Sequence, residues 1–249
     1  AKTSSPDKWQ EAMMSYFGRF NYNYLSKYLL EANLRYDGSS KFLPENRWDF
    51  FYGFSGGWRL TEENFMKNVK FLNELKLRLS YGVVGNQSGI SRYDGRQLYN
   101  FNSVNGAYLG DGRVSYVKSN GEIATTGRSW ERIHNYNLGV DFSLLKNKLS
   151  GSLDAYVKQG KEVISNYDAP LPPFMFDQIF TNVASTSSKG LELTLNWDVV
   201  NMKDFSYSTN LVASFTKSKL DKFSNGTYQK GYMDRYLLPA PGNPGYAQR

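Results

Sequence analysis

Residues Tyr28 to Tyr36 read YLLEANLRY. In an extended chain, Tyr28, Leu30, Ala32, Leu34 and Tyr36 share one face and Leu29, Glu31, Asn33 and Arg35 the other, because successive strand side chains point to opposite sides. One wall is apolar and the other polar. The same rhythm returns along the chain. Leu75, Leu77, Leu79, Tyr81 and Val83 oppose Lys76, Arg78, Ser80 and Gly82; Tyr136, Leu138, Val140, Phe142 and Leu144 oppose Asn135, Asn137, Gly139, Asp141 and Ser143. Leu191, Leu193, Leu195 and Trp197 oppose Glu192, Thr194, Asn196 and Asp198. Aromatic residues collect at the ends of these stretches. Alternation sustained in this way, with terminal aromatics, predicts an all-β transmembrane antiparallel barrel whose outer wall meets lipid and whose inner wall meets water.

Eight strands are predicted, at Met14–Tyr24, Lys27–Asp37, Trp48–Leu60, Glu74–Val84, Arg132–Leu145, Lys148–Val163, Lys189–Asp198 and Phe205–Lys217. Each can supply the roughly 9–11 residues that a tilted strand needs to cross the hydrocarbon. Short connections at Leu25-Ser26, Thr61–Asn73, Lys146–Lys148 and Val199–Asp204 alternate with long ones at Asp37–Arg47, Val84–Glu131 and Ser165–Ser188. Outer-membrane barrels keep short turns in the periplasm and long loops outside, which assigns the two ends. Both chain ends would then lie outside, and the eight strands are expected to be an arc of a larger barrel. Within the connections, Thr61 is a candidate cap for a short helix carrying Glu62 and Glu63. Gly56-Gly57 suggests a bulge or close backbone approach. Trp58, Tyr81 and Trp197 are candidates for the interfacial aromatic girdle.

Composition fits this reading. Of 249 residues, 16% are aromatic, including 19 Tyr and 16 Phe, as a barrel with interfacial girdles requires. No stretch reaches the roughly 18 apolar residues of a spanning helix. With no cysteine, disulfides and thiolate metal sites are excluded. The net charge of +7 comes from 30 basic and 23 acidic residues spread along the chain, without the compact cluster that nucleic-acid binding needs. The opening residues AKTSSPDKWQ carry no apolar signal core.

No catalytic constellation emerges. The single histidine, His134, is followed by Asn135, which points to the opposite face, so the two cannot orient one another. Asp94-Gly95 and Asp111-Gly112 read as turns, since no calcium-ligand series follows. Asn225-Gly226-Thr227 is a formal glycosylation sequon of little weight. No enzyme activity, metal or cofactor is expected. Substrate or partner contact is expected on long loops borne by a rigid scaffold: Tyr93, Asp94, Arg96, Tyr99 and Phe101 in one, and Tyr167, Phe174, Met175, Phe176 and Phe180 in another. The second is strongly apolar for an exposed segment, so it packs either on a partner or on itself. The polar wall is expected to comprise Glu31, Asn33, Arg35, Lys76, Arg78, Asn135, Asn137, Asp141, Glu192 and Asn196.

Several stretches carry a family resemblance. They are Arg35–Phe42 (RYDGSSKF), Asn46-Arg47-Trp48, Gly57–Leu60 (GWRL), Glu62–Phe65 (EENF), Leu75–Gln87 (LKLRLSYGVVGNQ), Trp130-Glu131, Asn137–Phe142 (NLGVDF) and Lys189–Leu193 (KGLEL). In this order, from about Tyr16 to Leu220, the set resembles the C-terminal half of SusC/RagA-type TonB-linked outer-membrane transporters of Bacteroidetes. The resemblance implies a barrel of about 22 strands with an N-terminal plug, neither the plug nor the TonB box lying in this sequence. It implies a SusD-type surface lipoprotein as lid, TonB as energy coupler through the plug, outer-membrane lipid around the wall, and uptake of oligosaccharides or peptides. The last barrel strand is also not expected here, since Pro239–Arg249 reads as loop. The competing reading is a structural or interaction barrel within another surface complex; a hydrolase in the lumen is a third.

Overall fold

The computed structural model describes residues 9–92, 99–109, 112–119, 122–123, 127–168 and 178–223. Its strands are β1 (Met13–Tyr24), β2 (Tyr28–Ser39), β3 (Trp48–Arg59), β4 (Leu72–Asn86), β5 (Tyr99–Leu109), β6 (Gly112–Ser119), β7 (Glu122–Ile123), β8 (Glu131–Leu144), β9 (Leu149–Asp168), β10 (Gln178–Asn201) and β11 (Ser206–Phe223). One sheet runs in the order β1-β2-β3-β4-β8-β9-β10-β11, every neighbouring pair antiparallel. β1 and β11 are its edges. An unpaired edge is not viable in hydrocarbon, so the sheet is an arc that other strands must close.

The ladder registers carry the alternation across the whole sheet. Tyr24, Tyr28, Trp58, Leu77, Val140, Leu153, Leu193 and Ala213 stand in one continuous row. One residue further along the strands, Asn23, Leu29, Gly57, Arg78, Gly139, Asp154, Glu192 and Ser214 form the next row on the opposite face. The apolar rows have no protein cover: Phe20, Leu30, Phe54, Leu79, Leu138, Leu191 and Phe215 are all exposed. In a soluble fold such rows would be the core. Here they form the surface that meets acyl chains.

At the short-turn end, the β1–β2 hairpin turns through Leu25, Ser26 and Lys27; Leu25 and Ser26 both have positive φ (52° and 56°), and the Lys27 amide donates to the Tyr24 carbonyl at 3.0 Å. The connection from β3 to β4 folds into two 3₁₀ turns, Leu60–Glu62 and Asn64–Met66. Thr61 does not cap them. It lies inside the first turn, which Arg59 precedes with no side-chain cap. Glu63 ties this connection to the wall: its carboxylate accepts from Tyr28 Oη (2.7 Å), Trp58 Nε1 (3.2 Å) and Lys27 Nζ (3.1 Å). These bonds, Tyr28's foremost, hold the Glu63 carboxyl below its ordinary pKa. Tyr22, Tyr24, Tyr28 and Trp58 stack in sequence at this end, with ring separations of 6.4–6.5 Å. With Trp197, 49% exposed, they form an aromatic belt.

Tyr81 departs from the expected girdle. It is half-buried, stacks on Tyr136 at 4.7 Å and hydrogen-bonds His134 Nδ1 at 3.0 Å. It packs beside the one described buried cluster, Phe42, Phe51, Val83, Ile90 and Trp130. That cluster forms at the long-loop end, beyond Gly53 and Gly82, where the β3–β4 ladder stops and the Phe51 ring lies against Gly85. Gly56 and Gly57 produce no bulge, for the β3 registers pass through them unbroken. Register shifts occur instead on β10, around Asn182–Thr186, opposite Glu162 with its positive φ of 56°.

Two predicted long loops are largely strand. β9 continues to Asp168 and β10 begins at Gln178, so paired strands occupy much of Ser165–Ser188. The stretch Val84–Glu131 contains the separate β5–β6 hairpin, and β7 pairs in parallel with β10. Strands that rise out of the membrane have water on both faces. They stay paired through backbone hydrogen bonds but lose the alternation that marks a strand in sequence.

Candidate functional site

The registers put all ten residues expected on the polar wall onto one face of the sheet, in successive rows. Asn33 shares a row with Asn135, Glu31 with Asn137, Arg78 with Glu192, and Lys76 with Asp141; Arg35 and Asn196 lie at opposite ends. Their side chains are linked. Arg19 Nε donates to Asn33 Oδ1 (2.7 Å), and Asn33 Nδ2 to Glu31 (2.6 Å). Asn210 Nδ2 donates to Asn196 Oδ1 (2.6 Å).

The centre of this wall is Arg78 on β4. Its guanidinium forks onto Asp141 of β8 with two bonds of 2.8 Å, the bidentate geometry that favours arginine over lysine. It also reaches Asp154 of β9 at 3.0 Å, crossing the whole width of β8. Gly139 makes that crossing possible. A Cβ there would stand 2.5 Å from Asp154 Oδ1 and 2.8 Å from Arg78 Cζ. The device recurs one row away. Tyr156 of β9 lies over Gly190 of β10, where a Cβ would strike its ring, and its hydroxyl meets Thr216 Oγ1 of β11 at 2.7 Å. At Gly139 and at Gly190, long polar side chains thus stitch three strands together across a middle strand that the glycine leaves bare.

At the long-loop end the same face opens into a cleft of about 680 Å³ lined by Asn33, Arg35, Asp37, Lys41, Gln87 and Trp130 among others. Arg35 Nε donates to the buried Asp37 at 2.6 Å. Trp130 Nε1 donates to the Arg47 carbonyl (3.0 Å), and Arg132 forks onto Asp49 at 2.6 and 2.9 Å. Glu131 joins β4 and β9, accepting from Asn86 Nδ2 and from the Ile164 amide (2.7 Å). The matched stretches RYDGSSKF, NRW and WE therefore meet in one clasp at the rim.

Sequence reading missed Asp154 and the Asp49–Arg132 pair. Asp154 had a usable signal, since Leu153-Asp154-Ala155 continues the β9 alternation. Asp49–Arg132 had none, because 83 residues separate the partners. Of the expected loop residues, Tyr99 and Phe101 lie on β5, Tyr167 on β9 and Phe180 on β10. Tyr93, Asp94, Arg96, Phe174, Met175 and Phe176 lie outside the described residues, as does the Asn225 sequon.

An open antiparallel sheet with bare apolar rows on one face, a hydrogen-bonded polar wall on the other and interfacial aromatics defines part of a transmembrane β-barrel of the outer membrane. The chain belongs to the TonB dependent receptor-like β-barrel family, whose model matches residues 3–245. It is 30% identical over 226 residues to the TonB-dependent receptor SusC of Bacteroides thetaiotaomicron, covering 90% of this chain and 22% of SusC. It is 33% identical over 247 residues to the TonB-dependent receptor P3 of Formosa agariphila, covering 98% of this chain and 23% of P3. The structure of the RagAB peptide importer in its closed-closed state superposes with a TM-score of 0.76 at 26% identity, over 93% of this chain and 24% of that one. The chain thus spans under a quarter of the length of these relatives.

Proposed function

We propose that this arc belongs to a TonB-dependent importer that carries oligosaccharides or peptides across the outer membrane. The observation that carries the reading is the pair of unbroken rows, Leu77's apolar and Arg78's polar, running over all eight strands of a chain of this family. The polar face is the lumen wall, where Glu31, Asn33, Arg35, Lys76, Arg78, Asn135, Asn137, Asp141, Glu192 and Asn196 contact the plug and line the route. In the whole protein a plug and TonB box precede these strands, TonB pulls on the plug, and a SusD-like lipoprotein covers the mouth. Tyr93, Asp94, Arg96, Tyr99 and Phe101 of one long connection, and Tyr167, Phe174, Met175, Phe176 and Phe180 of the other, are the proposed contacts to substrate or lid. The cleft beside Arg35 and Trp130 opens toward that mouth. The likeness to a peptide importer supports the peptide alternative; the SusC likeness supports the importer class.

Deleting the parent gene and growing the strain on a panel of single glycans and peptides tests this. Loss of growth on one class, restored by the intact gene but not by a copy lacking its TonB box, is expected. Restoration by the copy lacking the box refutes energy-coupled import. Replacing Phe174 and Phe176 with Ser is expected to weaken co-purification of the lipoprotein, and unchanged co-purification with a folded barrel removes the lid contact.

A further inference from the structure

We propose that residues 87–92 are an arm closed over the rim cleft and latched by Glu11, so that the long connection continuing from Arg92 governs entry to the cleft. The inference rests on the lumen reading of the polar face and adds a gate to it. The arm leaves β4 at Asn86, whose side-chain amide donates to Glu131. It bends at Gly89, whose φ of 83° favours glycine. Ile90 then packs with Phe51 and Trp130 in the buried cluster. Phe51 stands opposite Arg35 on the polar face, so the arm lies over the lumen side of the wall.

Across the cleft the arm meets the segment that leads into β1. Gln87 Nε2 donates to Met13 Sδ at 3.6 Å, and the Arg92 guanidinium lies 3.6 Å from the centre of the Trp9 ring. One Glu11 oxygen pairs with Arg92 Nε at 3.4 Å and the other with Lys41 Nζ at 3.4 Å. Ser40 fixes this segment to the β2–β3 connection: its amide donates to the Ala12 carbonyl and its hydroxyl accepts from the Ala12 amide, both at 2.9 Å. Met13, Lys41, Gln87 and Ser88 all line the cleft.

The two sides of the rim are fastened differently. On the β8 side, Arg132 forks onto Asp49 at 2.6 and 2.9 Å, and Trp130 and Glu131 are buried. On the arm side, a single oxygen meets each cation at 3.4 Å, and the Arg92 side chain is 42% exposed. Exposed single-contact pairs are weak and screened by salt. Two of them converging on one carboxylate hold the arm shut yet give way to competing contacts. Tyr93 and Asp94 follow Arg92 directly, so anything that binds them better with the arm open shifts the arm toward opening.

The test uses the intact transporter with no cysteine except a reporter, Gly53→Cys, in the cleft floor, where an added Cβ meets nothing closer than 3.9 Å. Its reaction with an uncharged polyethylene-glycol maleimide reads how often the arm stands open. Glu11→Gln breaks both pairs and is expected to speed labelling about tenfold, from about threefold per exposed pair. About 1 M NaCl is expected to speed labelling with Glu11 in place and to leave the Glu11→Gln variant unmoved. A second reporter, Glu45→Cys, in an exposed turn outside the cleft, is expected to react equally throughout. Should Glu11→Gln fail to assemble, the salt response with Glu11 in place decides. Equal labelling of Gly53→Cys with and without Glu11 overturns the proposal, as does indifference to salt with Glu11 in place. So does equal speeding at Glu45→Cys, for the whole rim would then be loosening. Labelling reads the arm and not the cargo, so growth tests that refute energy-coupled import leave this outcome standing, and the reverse.

Discussion

Leu77 and Arg78 are neighbours in the chain, yet they stand on opposite faces and meet two different environments. The row through Leu77 is apolar on β2, β3, β4, β8, β9, β10 and β11 and has no protein cover, whereas the row through Arg78 is tied by a forked ion pair that spans three strands. Backbone pairing is the same for both. What differs is how each row is satisfied: the outer row needs only a hydrocarbon environment, and the inner row needs specific partners. A one-residue slip of any strand would exchange the two, so the registers are strongly specified.

The sharpest way to break this contrast is to put one charge on each side of it. Leu138→Arg, on the lipid row, is expected to cost about 2–4 kcal/mol in refolding of the intact transporter into bilayers. Asn137→Arg, one residue away, is expected to cost far less; equal costs would mean that the outer face is not in lipid. Next comes Gly139→Val. It fills the space that Arg78 crosses, and overpacking of this kind costs about 1–3 kcal/mol. Urea-dependent unfolding should register it, and an unaltered midpoint would show that the Arg78–Asp154 crossing does not matter.

Asp141→Asn is smaller again, near 1 kcal/mol, because the pair is partly exposed and solvent screens it. Combining it with Arg78→Met should cost less than the sum of the single changes, and strict additivity in that cycle would show that the two side chains are uncoupled. The smallest effect concerns Glu63, where the outer aromatic belt meets the β3–β4 connection. Its carboxyl titrates below the ordinary 4.5 in the folded protein, so its stabilising bonds are complete above that value and are lost as pH falls through the lower, folded one. Amide exchange in residues 60–72 is expected to quicken as pH drops below 4.5, after correction for the intrinsic rate. Glu63→Gln should remove that step, and a step that survives the substitution belongs to another group.

The parts of the fold that sequence reveals are those where lipid acts on one face only. YLLEANLRY, LKLRLSYGVV and NLGVDF announce their strands because hydrocarbon demands an apolar residue at every second position. Above the membrane that demand vanishes. TNVASTSS is paired strand on β10, yet its polar residues on both faces gave no sign of it. The β5–β6 hairpin escaped notice in the same way.

The alternation of single residues was enough to determine the fold class, the sidedness and the polar wall, because each strand meets its two solvents locally. Tertiary structure alone decided which polar residues meet. Arg78 finds Asp154 across 76 residues of chain, and Arg132 finds Asp49 across 83. Such pairs depend on strand order and register, and Arg78's reach to Asp154 also on the vacancy left by Gly139 on the strand between; those are set by the whole sheet.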